Sequence, residues 1–166
     1  MTRIERAMTD ELHATARRLG LALGIERSGD QSVHRMRVEA RTPDGLAVRF
    51  DIAETDHDAA GRPGRYWYGL ILPSDPRGPF YVGYHCHEEL EQPGEGDLPH
   101  RVVRIDGARA HWRRESHTIT IATAIEALLE DLAGRDDYTV QEQLRPEPGE
   151  TWRAYRRRKI AAARAA

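Results

Sequence analysis

The densest concentration of chemically capable side chains is the run Tyr84-His85-Cys86-His87-Glu88. In an extended strand the side-chain period is two. That places His85 and His87 on one face, with roughly 7 Å between their Cα atoms. Two imidazoles at that separation can converge on one metal ion or one phosphate. A third histidine, His100, opens the next strand after a loop. A hairpin between the two strands would bring it back beside the pair. Three readings follow. As ligands, His85, His87 and His100 would hold a divalent metal such as zinc, which takes histidine nitrogens at about 2.0–2.1 Å, with Glu88, Asp97 or a water completing the shell. As proton-transfer groups they would work near neutral pH, where imidazole titrates. As solvated polar residues on the wet side of a strand they would do neither. The same alternation turns Cys86 toward the apolar side, as a small buried thiol rather than a nucleophile.

Two other groups carry charge in a pattern. Asp51, Glu54, Asp56, His57 and Asp58 could gather Mg²⁺ or Ca²⁺ through oxygens. They lack the glycine and terminal glutamate of a calcium loop, and read as a solvated loop. Residues 151–166 hold Arg153, Arg156, Arg157, Arg158, Lys159 and Arg164 and no acid, formally +6, while the rest of the chain sums to -8. Trp152 and Tyr155 stand three apart, on one side of a helix. Such a helix suits RNA phosphates and bases. It equally suits an acidic protein partner or the protein's own acidic body.

Composition removes many alternatives. With 166 residues, 39% apolar and 31% charged, the chain suits one folded domain. Its 25 Lys+Arg against 27 Asp+Glu exclude a uniformly basic nucleic-acid binder, though not a local basic patch. The single Cys86 excludes a disulfide framework and a multi-cysteine zinc site. Lys159 is the only lysine, so no Gly-Lys-Ser/Thr phosphate loop exists. G-x-S-x-G, H-E-x-x-H and G-x-G-x-x-G after a strand are also absent. No apolar run approaches the roughly 20 residues of a membrane span. The opening MTRIERAMTDEL lacks the apolar region of a signal peptide, and a cytoplasmic protein is expected.

The elements that must position these residues follow from periodicity. Ile4, Met8, Leu12, Ala16 and Leu19 predict a helix over 3–20 stopped by Gly20. A short apolar stretch over 21–27 could start a strand. Alternation predicts strands over 32–41 and 46–52, joined at Thr42-Pro43-Asp44-Gly45. Further strands follow over 66–72, 80–87, 100–105 and 108–113, the last two joined at Asp106-Gly107. Ile121, Ile125, Leu128, Leu129 and Leu132 predict a helix over 118–132. The expected fold is α+β: a single antiparallel meander with an N-terminal helix and two C-terminal helices. Residues 1–144 form the core domain, 145–150 a linker and 151–166 a basic helix. The helices cover one sheet face. Arg35, Arg37, Arg49, His85 and His87 belong to the other.

Four segments in order resemble the TumE-type family of small toxin–antitoxin proteins: RYWYGLIL (65–72), FYVGYHCHEE (80–89), GDLPHRVVRIDG (96–107) and IEALLEDL (125–132). The resemblance spans about two-fifths of the chain. It implies a ribonuclease toxin paired with an antitoxin. His85 stands where that family usually carries Asp, and the basic tail is extra.

The resulting expectation is a small cytoplasmic ribonuclease-like toxin that uses histidine acid–base chemistry. RNA cleavage through the 2′-hydroxyl needs a base, an acid and a cation against developing phosphorane charge. His85 and His100 are the candidate acid–base pair, with Tyr81 assisting and Arg104 stabilising charge. His87 and Arg101 are the candidate phosphate ligands. No cofactor is needed unless the three histidines hold a metal. The alternative is a non-catalytic protein- or nucleic-acid-binding subunit or regulator of a bacterial or phage assembly. It would use Trp152, Arg153, Tyr155, Arg156, Arg157 and Lys159. Neither reading involves a membrane.

Overall fold

A computed structural model describes residues 1–29, 33–87, 98–140 and 147–165. Helix α1 (Arg3–Leu19) starts where Thr2 can cap it. The Glu5 amide donates to the Thr2 hydroxyl at 3.1 Å, and the Thr2 amide donates to the Glu5 carboxylate at 2.7 Å. Such reciprocal capping satisfies two amides that helix geometry leaves without partners. The helix ends at Gly20, whose φ of +69° suits a residue with no Cβ.

Seven strands follow: β1 (Ala22–Gly29), β2 (Val33–Arg41), β3 (Ala47–Thr55), β4 (Arg65–Leu72), β5 (Phe80–Cys86), β6 (Pro99–Ile105) and β7 (Ala108–Arg114). All neighbours are antiparallel, and spatial order equals chain order. This is the expected meander. The stretch over 21–27 proves to be a full edge strand, paired with β2 from Ala22↔Arg41 to Gly29↔His34. Helix α2 (Ile121–Ala133) begins later than periodicity suggests, because Thr120 caps it by accepting the Thr123 amide at 3.3 Å. Helix α3 (Trp152–Ala165) closes the chain.

The core lies between one sheet face and helices α1 and α2. Val48, Phe50, Ile52, Leu70, Phe80 and Val82 point toward it from the strands, and Ile121, Ile125, Leu128 and Leu132 meet them from α2. Full burial of each such side chain contributes about 1.5–3 kcal/mol. Cys86 is buried on this face, as its register required.

Two residues depart from expectation here. Glu54 continues the inward set of β3 and is buried, so it does not belong to a solvated loop. Arg101 is also inward and buried. Its Nε donates to Asp131 of α2 at 2.8 Å, and its Nη2 donates to both Asp131 and Tyr138. Burial opposes the guanidinium charge, but these partners outweigh it and raise the pKa above the usual arginine value. Arg101 is therefore a strut between sheet and helix, not a phosphate ligand beside His100. The cause is alternation: consecutive residues of β6 face opposite sides.

Candidate metal centre

The sheet face turned away from α1 and α2, the far face, carries the histidines. Register places His85 of β5 directly between Trp67 of β4 and His100 of β6. His87 follows immediately after β5 ends at Cys86. The three imidazoles meet: one nitrogen from each lies within 4.8 Å of the other two. Ring centroids are 4.9 Å apart for His85–His87, 5.3 Å for His85–His100 and 5.5 Å for His87–His100. His85 and His100 are buried and His87 is half-buried. His85 Nδ1, His87 Nε2 and His100 Nε2 are all shielded from solvent.

Hydrogen bonds orient two of the rings. His100 Nδ1 lies 2.8 Å from the Leu98 carbonyl oxygen. A carbonyl only accepts, so Nδ1 carries a proton, and in the neutral tautomer Nε2 presents its lone pair. His85 Nε2 lies 2.5 Å from the Tyr81 hydroxyl. In the tautomer where Nε2–H donates to that oxygen, His85 Nδ1 presents its lone pair. Metal-bound histidines characteristically have their other nitrogen held this way.

Tyr81 reaches His85 because two glycines leave room. Gly69 and Gly83 face one another across β4 and β5. A Cβ on Gly69 would stand 2.7 Å from Tyr81 Cε2. One on Gly83 would stand 2.3 Å from the Tyr81 hydroxyl oxygen and 2.4 Å from His85 Nε2. The phenol therefore lies flat over bare backbone. Period-two alternation along β5 puts Gly83 on the histidine face. The signal was a small residue at i+2 between Tyr81 and His85.

Two tryptophans flank the cluster and were not singled out from sequence. Trp67 packs against His87 with centroids 5.3 Å apart, and Trp112 stacks on His100 at 5.9 Å. The Arg104 guanidinium sits 5.8 Å from the Tyr81 ring centroid, on the histidine face. Among the described residues, strand register assigns eight arginines to the far face: Arg35, Arg37, Arg41, Arg49, Arg65, Arg104, Arg109 and Arg114. Among the described strand residues, Glu26, Glu39 and Asp51 oppose them on that face, and Asp56 just beyond β3 pairs with Arg65 at 3.5 Å. A chain of net charge -2 thus carries a basic sheet face.

The basic tail is less uniform than its sequence. Tyr155 and Lys159 are buried, with the Lys159 ammonium 5.5 Å from the Tyr155 ring centroid. Arg158 donates to Glu150 through Nε at 3.0 Å and Nη2 at 2.6 Å. That contact holds the Glu150 carboxyl down at about 2. Tyr155 and Lys159 therefore do not form an open binding surface, whereas Arg153, Arg156 and Arg157 are exposed. Glu88, Asp97 and the Trp152 side chain lie outside the described residues.

An acid–base pair acting on RNA needs its nitrogens on opposite sides of a phosphate. Here one nitrogen from each of three rings lies within 4.8 Å of the other two. One ion held by all three rings suits that grouping. The grouping fits the ligand reading, in which three imidazoles hold one ion and a water or substrate completes its shell. Fold and site together define a class: a seven-stranded antiparallel α+β protein with a three-histidine cluster on the sheet face away from its helices. Comparison with protein-family models, with curated proteins and with solved structures finds no match.

Proposed function

We propose that the protein is a small ribonuclease-like enzyme of the toxin type, acting on RNA at a divalent-metal centre held by His85, His87 and His100. The observation carrying this reading is the convergence of three imidazole nitrogens to within 4.8 Å. An ion of the zinc class, when bound, supplies positive charge against a phosphoryl oxygen as it gains negative charge. The chain's own residues do the rest. His100 and His85 are aimed by their contacts with Leu98 and Tyr81. Arg104 and Arg114 add cations on the same face for the RNA backbone. Trp67 and Trp112 offer ring faces on which bases stack.

The test uses protein purified without a histidine tag. Metal content should be about one ion per chain, as a preformed site requires. Cleavage of single-stranded RNA should vanish with EDTA, return with added zinc, and fall sharply in His100→Ala. Folded protein that takes up no metal would remove the metal centre. Cleavage that survives EDTA but not His85→Ala would restore the His85/His100 acid–base mechanism. Metal-loaded protein that cleaves no RNA would leave a non-catalytic binding protein.

A further inference from the structure

Across β4 from the histidines, on the helix side of the sheet, a cavity of about 560 Å³ opens between the start of α1, the loop over 56–64 and the start of α2. That volume is within the range of small-molecule sites, about 300–1,000 Å³. Ile4, Met8, Pro63, Ile119 and Ile121 line its walls. Tyr66 and Tyr68 also line it, their rings stacked at 4.6 Å and 11°. Glu54 reaches the same space and is only 6% exposed. A smaller cavity of about 220 Å³ shares Tyr66 and the residues over 118–120.

We infer that this cavity binds a small molecule with an apolar body and a protonated amine, the amine seated on Glu54. The carboxylate accepts from the Tyr68 hydroxyl at 2.6 Å on one oxygen and meets His57 Nε2 at 2.9 Å on the other. A carboxylate has about four acceptor positions, so each oxygen keeps room for one more donor. Burial, with the Glu54 charge behind it, raises the Tyr68 pKa well above its usual value. The phenol stays protonated and keeps donating. Two stacked tyrosine faces beside a carboxylate attract a cation through their negative ring faces.

An anionic ligand fits poorly. Amides at and just before the start of α2 are engaged: Ala122 donates to Glu11 at 2.9 Å, Thr123 to the Thr120 hydroxyl at 3.3 Å and Ile119 to the Tyr66 hydroxyl at 3.3 Å. The Arg62 guanidinium is 81% exposed and turned to Asp58 at 2.8 Å. Arg3 is exposed at the mouth. The carboxylates lining the interior are therefore Glu54 and Glu11, and Glu11 is engaged by the Ala122 amide. This site stands independently of the metal centre, since β4 turns Tyr66 and Tyr68 one way and Trp67 the other.

Calorimetric titration of the full chain with 2-phenylethylammonium, 2-phenylethanol and 3-phenylpropionate tests the assignment. The amine should bind at least about 10-fold tighter than the alcohol, the value of a charge-assisted hydrogen bond. Glu54→Gln keeps an acceptor for Tyr68, and should remove that advantage while leaving alcohol binding unchanged. Ala7→Trp changes an exposed α1 residue that lines the cavity, so folding is unaffected. It should abolish binding of all three probes, and it decides the question if Glu54→Gln fails to fold. Equal binding of amine and alcohol, tighter binding of the carboxylate, full binding by Ala7→Trp, or no amine binding at millimolar concentration would each overturn the assignment.

Discussion

Gly83→Ala probes the centre without replacing a ligand. The new Cβ would meet the Tyr81 hydroxyl at 2.3 Å and His85 Nε2 at 2.4 Å, both far inside contact distance. The phenol is the far end of a half-buried side chain and swings away, the His85 ring shifts on its nitrogen side, and the strand backbone stays. Alanine in place of a strand glycine itself contributes about 0.4–1 kcal/mol through the unfolded chain, where the backbone tolerates it. Gly83 does not have a positive φ, so nothing in its conformation requires glycine. Metal-free stability should therefore be close to wild type. Metal affinity should not be. Losing the partner that orients a histidine ligand costs about 10–100-fold in affinity, or about 1.4–2.7 kcal/mol. Under saturating zinc that loss appears directly as lost stabilisation. For a chain of this size it corresponds to roughly 3–10 °C in Tm. The assay pairs chelator-competition titration with thermal melts, each with and without zinc, beside Tyr81→Phe. The variant should melt with wild type when metal-free and well below it when loaded. Affinity within twofold of wild type in both variants would refute the idea that Tyr81 orients His85.

Other predictions concern the supporting frame. Arg101→Met strands Asp131, whose side chain is only 15% exposed, and should destabilise the fold by about 3–5 kcal/mol in urea titration. His111 is held below its usual pKa first by burial and then by Arg101 and Arg113, so the same variant should raise the His111 pKa in an NMR titration; a downward shift would contradict that placement. The Asp75 carboxyl is held below its ordinary 3.8, chiefly by the Arg77 side chain against the cost of burial. Its folded pKa is depressed, so its contribution is fully present above that ordinary value and is lost as pH falls through the folded one. Asp75→Asn should flatten the acid limb of the stability curve there, and an unchanged limb would count against the contact.

Much of this architecture follows from local rules. The period-two alternation in β2 through β5, the turn at Pro43-Asp44-Gly45 and the spacing of Leu12, Leu128 and Leu132 depend on neighbours along the chain. They predict a meander with helices on one face, and such a sheet is what forms. The His85–His87 pair is equally local, since an extended strand puts i and i+2 on one side. Alternation also separates Arg101 from His100, and it places the Cys86 thiol in the core.

The rest depends on register and on packing between distant segments. His100 joins the pair because β5 and β6 align with His85 opposite it, and no local pattern sets which residues pair across a loop. The Tyr81 contact needs Gly69 from β4 as well as Gly83, so it exists only once the two strands lie side by side. The expected solvated acid Glu54 is buried because α1, β4 and the loop over 56–64 enclose it. Lys159 and Tyr155 read as parts of an open basic face, yet tertiary burial removes them from it. Periodicity assigns a residue to a side of its own element, and long-range packing then fixes what that side meets, which here separates a solvated histidine pair from a three-histidine centre.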